Sequence, residues 1–178
     1  MEPVDLNTFP ILVTERLILR QLSDSDVQEI FRLRSDASIN KYLDRKPSEN
    51  LGDALEFIKK IKANSFSYWG IVQKGSERLV GTICLFDISE ELKKCEIGYE
   101  LLPEHQGKGI MTEAAKKVIE HSFLTLGLNT MEAYTHKDNK GSTNLLKVLG
   151  FERIDSVDEK NSDLVLFRFD ISGASNAA

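Results

Sequence analysis

The sequence predicts an α/β (α+β) domain. One mixed, mostly antiparallel sheet of about seven strands is flanked by about four helices. Three observations predict this. Alternating apolar segments cluster in the middle and at the end of the chain, apolar residues at helical spacing lie between them, and Gly, Asn and Ser-Asp signals mark the boundaries. The 178 residues suit a single domain, and 41% hydrophobic with 29% charged residues supply both a core and a solvated surface. The expected domain covers residues 11–172, with a flank at 1–10 and a small polar tail, GASNAA, at 173–178.

In TERLILRQL (14–22), Leu17 and Leu19 share one face of an extended segment. SDSD (23–26) places an acid three residues after Ser23, a capping signature that opens a helix carrying Val27, Ile30, Phe31 and Arg34 at helical spacing. Asn50 caps a second helix with Ala54, Phe57, Ile58 and Ile61 on its apolar face. FSYWGIV (66–72) and RLVGTICLF (78–86), joined through Gly75, form a hairpin, and CEIGYELL (95–102) is a third strand whose Gly98 suggests a bulge. A third helix follows, with Met111, Ala114, Ala115, Val118, Ile119 and Ser122 on one face and Gly127 just past its end. TMEAYTH (130–136) is a strand. Asn139 caps a helix containing Leu145, Leu146 and Leu149 that Gly150 closes, and FERIDSV and DLVLFRFDI end the fold as an antiparallel pair.

Composition excludes several functions. A net charge of −5 and a pI near 5.3 argue against a broad nucleic-acid surface. No run of eighteen apolar residues is present to span a membrane, and the first residues lack a secretory layout, so the cytoplasm is the expected location. Cys84 and Cys95 show no metal-ligand spacing and are expected as free thiols, and His105, His121 and His136 are expected at the surface or on helices, so no metal is implied.

The stretch EHQGKGIMTEA (104–114) places two glycines at the start of a helix, where glycine is a poor helix former. The first amides of a helix have no internal partner and face the positive end of its dipole, so Gly107 and Gly109 suit the approach of a phosphate, with Lys108 adding charge. A merely tight turn is the other local reading. The run is not a nucleotide-triphosphate loop, because Gly109 follows Lys108 where Ser or Thr is required. Nor is it the dinucleotide fingerprint, because Thr112 stands at the third glycine position.

GYELLPEHQGKGIMTEA resembles the coenzyme motif of the GNAT acetyltransferases, Gln/Arg-x-x-Gly-x-Gly/Ala. Gln106, Gly109 and Met111 hold the fixed positions, and Met111 departs from Gly/Ala. NKGSTNLLKVLGF (139–151) and TERLILRQLSDSD resemble two further segments of that family, and together the three resemble its ribosomal-protein N-terminal acetyltransferase (RimJ/RimL) branch. The resemblance spans about residues 11–171. It implies a V-shaped splay between strands 95–102 and 130–136 and acetyl-CoA as cosubstrate. It also implies pyrophosphate contacts from Gly107, Lys108, Gly109, Ile110, Met111 and Thr112, and pantetheine contacts from Tyr99, Glu100, Leu101, Leu102 and Asn139.

Acetyl transfer to an amine requires a neutral amine, a stabilised oxyanion and a proton for the departing thiolate. The resemblance makes Ser142 the proton donor; a helix-start serine bonding its own backbone is the plainer alternative. It makes Glu96 the base, against an ordinary solvent-facing acid, with Glu100 on the same face unless Gly98 bulges. Asp158 and Glu159 lie where the branch sometimes places a base. Tyr134, Tyr68 and Trp69 border the acceptor site or pack in the core. The expected partners are acetyl-CoA and an amine acceptor, with no nucleic acid or membrane, for a monomer or homodimer. The acceptor is a protein N-terminal α-amine, or a small amine such as a polyamine, amino acid or antibiotic. Acceptor choice is assigned to segment 35–52 and the last hairpin. A non-catalytic acyl-CoA-binding module is the remaining alternative.

Overall fold

Apolar alternation leaves the chain few ways to bury its strands, and the computed structural model shows the one it takes. The structure describes residues 9–64, 67–157 and 163–171. Eight strands form one sheet: β1 (Leu12–Val13), β2 (Leu17–Arg20), β3 (Tyr68–Gln73), β4 (Leu79–Ser89), β5 (Lys94–Leu101), β6 (Thr130–His136), β7 (Glu152–Val157) and β8 (Leu164–Asp170). Their order is β1-β2-β3-β4-β5-β6-β8-β7, and only β5 and β6 are parallel. The five helices are α1 (Val27–Ser35), α2 (Ala37–Asn40), α3 (Leu51–Asn64), α4 (Ile110–Leu124) and α5 (Lys140–Val148).

The expected seven strands and four helices are all present. The additions are β1 and α2, of two and four residues. Neither is long enough to show a period; β1 exists because it pairs with β2. The start of α1 follows its capping signature: the Ser23 N–H donates to Asp26 Oδ2 at 2.7 Å, after a single 3-10 turn at Asp24–Asp26. Arg20 then grips the same carboxylate with two bonds of 2.8 Å, which ties β2 to the helix. The amide of Asp53 donates to the Asn50 side chain at 3.1 Å, as a cap for α3 should accept.

Two apolar clusters sandwich the sheet. Leu17, Leu19, Trp69, Ile83, Ile97 and Leu101 join the apolar face of α4, while Ile30, Leu33, Ala54, Ile58, Val72 and Leu102 lie on the α1/α3 side. Full burial of a leucine such as Leu17 or Leu19 contributes about 1.5–3 kcal/mol, so the alternation itself decides which face each strand turns to each layer.

Gly98 does not bulge. The β4–β5 register is regular from Gly81↔Leu101 to Phe86↔Glu96 and shifts only between Phe86 and Ser89. A Cβ at Gly98 would meet Phe86 Cε1 at 3.2 Å and Cys84 Sγ at 3.3 Å, so the glycine answers to close packing.

Where β5 and β6 still pair, Glu132 is nearly buried and is held by Arg168 Nη2 at 2.6 Å and Lys94 Nζ at 3.1 Å. Burial opposes ionisation, but these hydrogen bonds overcome it and keep the carboxyl below its ordinary range. A carboxyl depressed by folding stabilises the fold above the unfolded value and loses that contribution as pH falls through the folded one. Denaturant titrations at pH 7 and pH 4 are therefore expected to show a larger acid loss for wild type than for Glu132→Gln.

Candidate active site

Strands β5 and β6 pair only from Lys94↔Thr130 to Glu96↔Glu132. Beyond that point β5 stays with β4 and β6 with β8, and a gap opens. The Leu102 N–H donates to Val80 O at 2.9 Å, so alternation points the Glu100 main chain toward β4 as well. Of the four residues expected to offer backbone contacts, Tyr99 and Leu101 face the gap and Glu100 and Leu102 do not. Gln106 Nε2 donates to the Leu101 carbonyl at 3.0 Å, tying the glycine loop to the end of β5.

Helix α4 begins at the mouth of this gap. Gly107 and Gly109 adopt φ of 71° and 73°, a left-handed conformation that costs other residues about 1–2 kcal/mol. A Cβ at Gly107 would meet nothing within 4 Å, and at Gly109 only Arg16 Nη2 at 3.4 Å. Backbone conformation, more than crowding inside the protein, therefore requires these glycines. The first intrahelical bond runs from Glu113 N–H to Gly109 O at 3.1 Å, and Gly109 supplies no side-chain cap. The N–H groups of Ile110, Met111 and Thr112 precede that bond and form an anion-accepting helix terminus, with Lys108 exposed beside them. Met111 is buried beneath α4, so its departure from Gly/Ala affects the core and leaves its amide outward.

The TER segment braces this loop. Arg16 donates from Nε to Glu113 Oε2 at 2.6 Å and from Nη1 to the Lys108 carbonyl at 3.1 Å, and Thr14 Oγ1 donates to Glu113 Oε1 at 2.6 Å. Burial opposes ionisation of Glu113, but the bonds from Thr14 and Arg16 hold it below the usual carboxylate range.

At the start of α5, Asn139 Oδ1 accepts the Ser142 N–H at 3.2 Å, and Ser142 Oγ lies 2.8 Å from Tyr99 Oη. Burial pushes the Tyr99 phenol up to about 12, so it stays protonated at neutral pH and can donate to Ser142, freeing the serine proton for a third group. No sequence signal announces this contact, because it joins strand and helix across 43 residues.

Two cavities meet here. One, of about 780 Å³, runs along the glycine loop and α5; the other, of about 920 Å³, opens toward α1 and the segment after α2. Tyr42, Leu43, Tyr99, Glu100, Asn139 and Ser142 line both. Glu96 lines the second, and burial with the nearby Asp87 and Glu132 carboxylates raises its pKa above the ordinary carboxylate range, against the pull of Lys94. Glu100 lies on the same face but is engaged: Arg45 donates to its two oxygens at 2.5 and 2.8 Å. Arg45, unremarked in the sequence, comes from the segment assigned to acceptor choice.

Other expectations divide. Tyr68 and Tyr134 line the second cavity, whereas Trp69 is fully buried and donates to Pro10 O at 2.7 Å. His136 is a cavity residue whose ring is tilted against Tyr42 at 5.0 Å between centroids, a correction to its surface reading; His121 packs edge-on against Trp69. Cys95 is buried while Cys84 reaches the second cavity, and burial raises both thiols to about 12. Asp158 and Glu159 lie outside the described residues. Among the described residues no group of three His, Cys, Asp or Glu side chains could hold a metal, and no helix is long and apolar enough to cross a membrane.

A sheet parted at one parallel pair, with an uncapped helix start in the opening, suits a phosphate-bearing ligand, and the class of protein follows from its relatives. The family model described as Acetyltransferase (GNAT) domain matches residues 16–152. The chain is 35% identical over 149 residues to YoaA of Bacillus subtilis, an uncharacterized N-acetyltransferase, covering 82% of this chain and 84% of that one. It is 24% identical over 139 residues to a spermidine N(1)-acetyltransferase of Vibrio cholerae, covering 78% and 80%. A GNAT-family acetyltransferase structure from Bacillus anthracis superposes with a TM-score of 0.80 at 21% identity, covering 90% and 98%. The chain belongs to the GNAT acetyltransferases and is an acetyl-CoA-dependent N-acetyltransferase.

Gly109→Ala tests the loop. It is expected to lower stability by about 1–2 kcal/mol and to weaken coenzyme A binding in calorimetry. Unchanged values for both would contradict the role given to the left-handed conformation.

Proposed function

We propose that this enzyme transfers an acetyl group directly to a protein N-terminal α-amine, with Ser142 as proton donor and Glu96 as base. The observation that carries the reading is the Ser142–Tyr99 contact at the junction of the two cavities, beside the uncapped start of α4. The amides of Ile110, Met111 and Thr112 hold the coenzyme pyrophosphate, and the Tyr99 and Leu101 main chains pair with the pantetheine arm. The amine enters from the second cavity as an ammonium and gives a proton to Glu96, directly or through water. Its lone pair attacks the thioester carbonyl, and the Tyr99 N–H, facing the gap, stabilises the oxyanion. Collapse expels the thiolate, which takes the Ser142 proton; Tyr99 Oη reprotonates the serine, and the second proton that the nitrogen loses as the amide forms passes through water to restore the phenol.

Two features support an α-amine. Its pKa is roughly 7.7–8.0, so a single weak base suffices, whereas a lysine amine near 10.4 demands more. The second cavity also mixes Arg34, Lys41 and Arg45 with Asp44, Glu96 and Glu100, a poor match for a polycation. The resemblance of TERLILRQLSDSD to the N-terminal acetyltransferase branch adds to this. A polyamine acceptor is the second reading, favoured by the similarity to a spermidine N(1)-acetyltransferase.

Thiol release measured against N-terminal peptides and polyamines, with mass spectrometry of the product, separates these readings. Turnover of polyamines alone would reject the first. Ser142→Ala is expected to lower turnover by about 10²-fold or more while coenzyme A affinity stays near wild type. Because the ammonium proton passes to Glu96, log kcat/KM should rise with pH at a slope near one and level off above the Glu96 pKa. In Glu96→Gln the rise should continue up to the pKa of the amine itself; an unchanged profile would remove Glu96 from the chemistry.

A further inference from the structure

The second cavity holds two guanidinium groups and only one carboxylate is fastened to them. Arg45 Nη1 and Nη2 meet both oxygens of Glu100, and its Nε donates to Asn40 Oδ1 at 2.7 Å, so that side chain is fully occupied. Arg34 is not. Its Nε is buried without a hydrogen-bond partner, and no ion pair to its guanidinium is present among the described residues. The guanidinium is nonetheless seated on a ring: its Cζ stands 4.0 Å over Phe57. Burial and the neighbouring Arg45 charge lower its pKa, while Glu100 and Tyr68 partly offset them. A buried donor without a partner is unfavourable, more so when it is charged. A half-buried guanidinium stacked on a ring at a cavity wall is suited to a planar anion.

We propose that Arg34 is the specificity anchor of the acceptor cavity and that the acceptor carries a carboxylate near its reactive α-amine. This rests on the assignment of the second cavity to the amine acceptor. The same carboxylate can come from an acidic side chain in the first two residues of a protein N-terminus or from the α-carboxylate of a free amino acid. In either case it neutralises a guanidinium that lines the cavity and has no ion pair among the described residues. The amine is thereby directed away from the two arginines, toward Glu96 on the β5 side of the cavity. A polyamine places only like charge against Arg34.

The test uses peptide pairs differing only as Asp/Asn or Glu/Gln at the first or second position, and free amino acids paired with their carboxamides. Acetylation is measured with acetyl-CoA, and binding is measured by titration into enzyme loaded with coenzyme A. The carboxylate member of at least one pair is expected to exceed its amide in kcat/KM by about 10-fold or more, the worth of a charge-assisted hydrogen bond; which pair does so distinguishes the two sources. Arg34→Gln should abolish that preference with coenzyme A affinity unchanged. Arg34→Lys, which keeps charge and ring contact but loses the fork, should retain part of it. Equal rates within every pair, equal losses for both members in Arg34→Gln, or no binding by any carboxylate member would overturn the anchor. Binding that depends on Arg34 without acetylation would instead overturn the proposed transfer to an α-amine and leave the anchor standing.

Discussion

The organisation of the molecule depends on one ladder that stops early. Parallel pairing of β5 and β6 ends at Glu96 and Glu132, and each strand continues with its other neighbour alone. Main-chain donors and acceptors in a protein interior require partners, so an opened sheet leaves Tyr99 and Leu101 with groups that a bound molecule can pair. The same opening receives the starts of α4 and α5, whose first amides also lie outside any helical ladder. Asn139 caps α5 from within the chain. Gly109 offers α4 no such cap, and that difference marks the helix start available to an anion.

Charge pairing around the gap divides the work. Arg16 and Glu113 brace the glycine loop, Arg168 and Lys94 hold Glu132 at the last paired register, and Arg45 takes both oxygens of Glu100. These pairs fix backbone positions, and each withdraws a charged group from competition for a ligand. Glu96 and Arg34 are among the charges left facing the second cavity, one an acid made more basic by burial, the other a cation stacked on a ring. The polarity of that cavity follows from which charges were already satisfied elsewhere.

Much of the site was legible in the sequence because it depends on local conformation. A left-handed turn needs glycine, so GKG before an apolar helix pointed to the start of α4; a helix start needs a side-chain acceptor, so Asn139, Asn50 and SDSD marked theirs. Where local rules are silent, the reading stopped. Gly98 resembles a bulge in a strand, but the side chains of Phe86 and Cys84 require it. His136 carries no pattern of its own and becomes a cavity residue through Tyr42, a partner 94 positions away by the numbering. The roles of Tyr42 and Arg45 were equally hidden, since segment 35–52 has neither strand nor long-helix periodicity.

Residue order alone specified the alternation of strands and helices, the caps, the faces of α3 and α4, and a glycine-led helix start suited to phosphate. Each is set by neighbours within a few positions, where backbone sterics and burial act directly. Tertiary structure decided which acids remained available, that Tyr99 meets Ser142, and that Arg34 has a ring beneath it and, among the described residues, no ion pair. Those contacts depend on distances between segments far apart in the chain, and such distances exist only after the sheet has formed and parted.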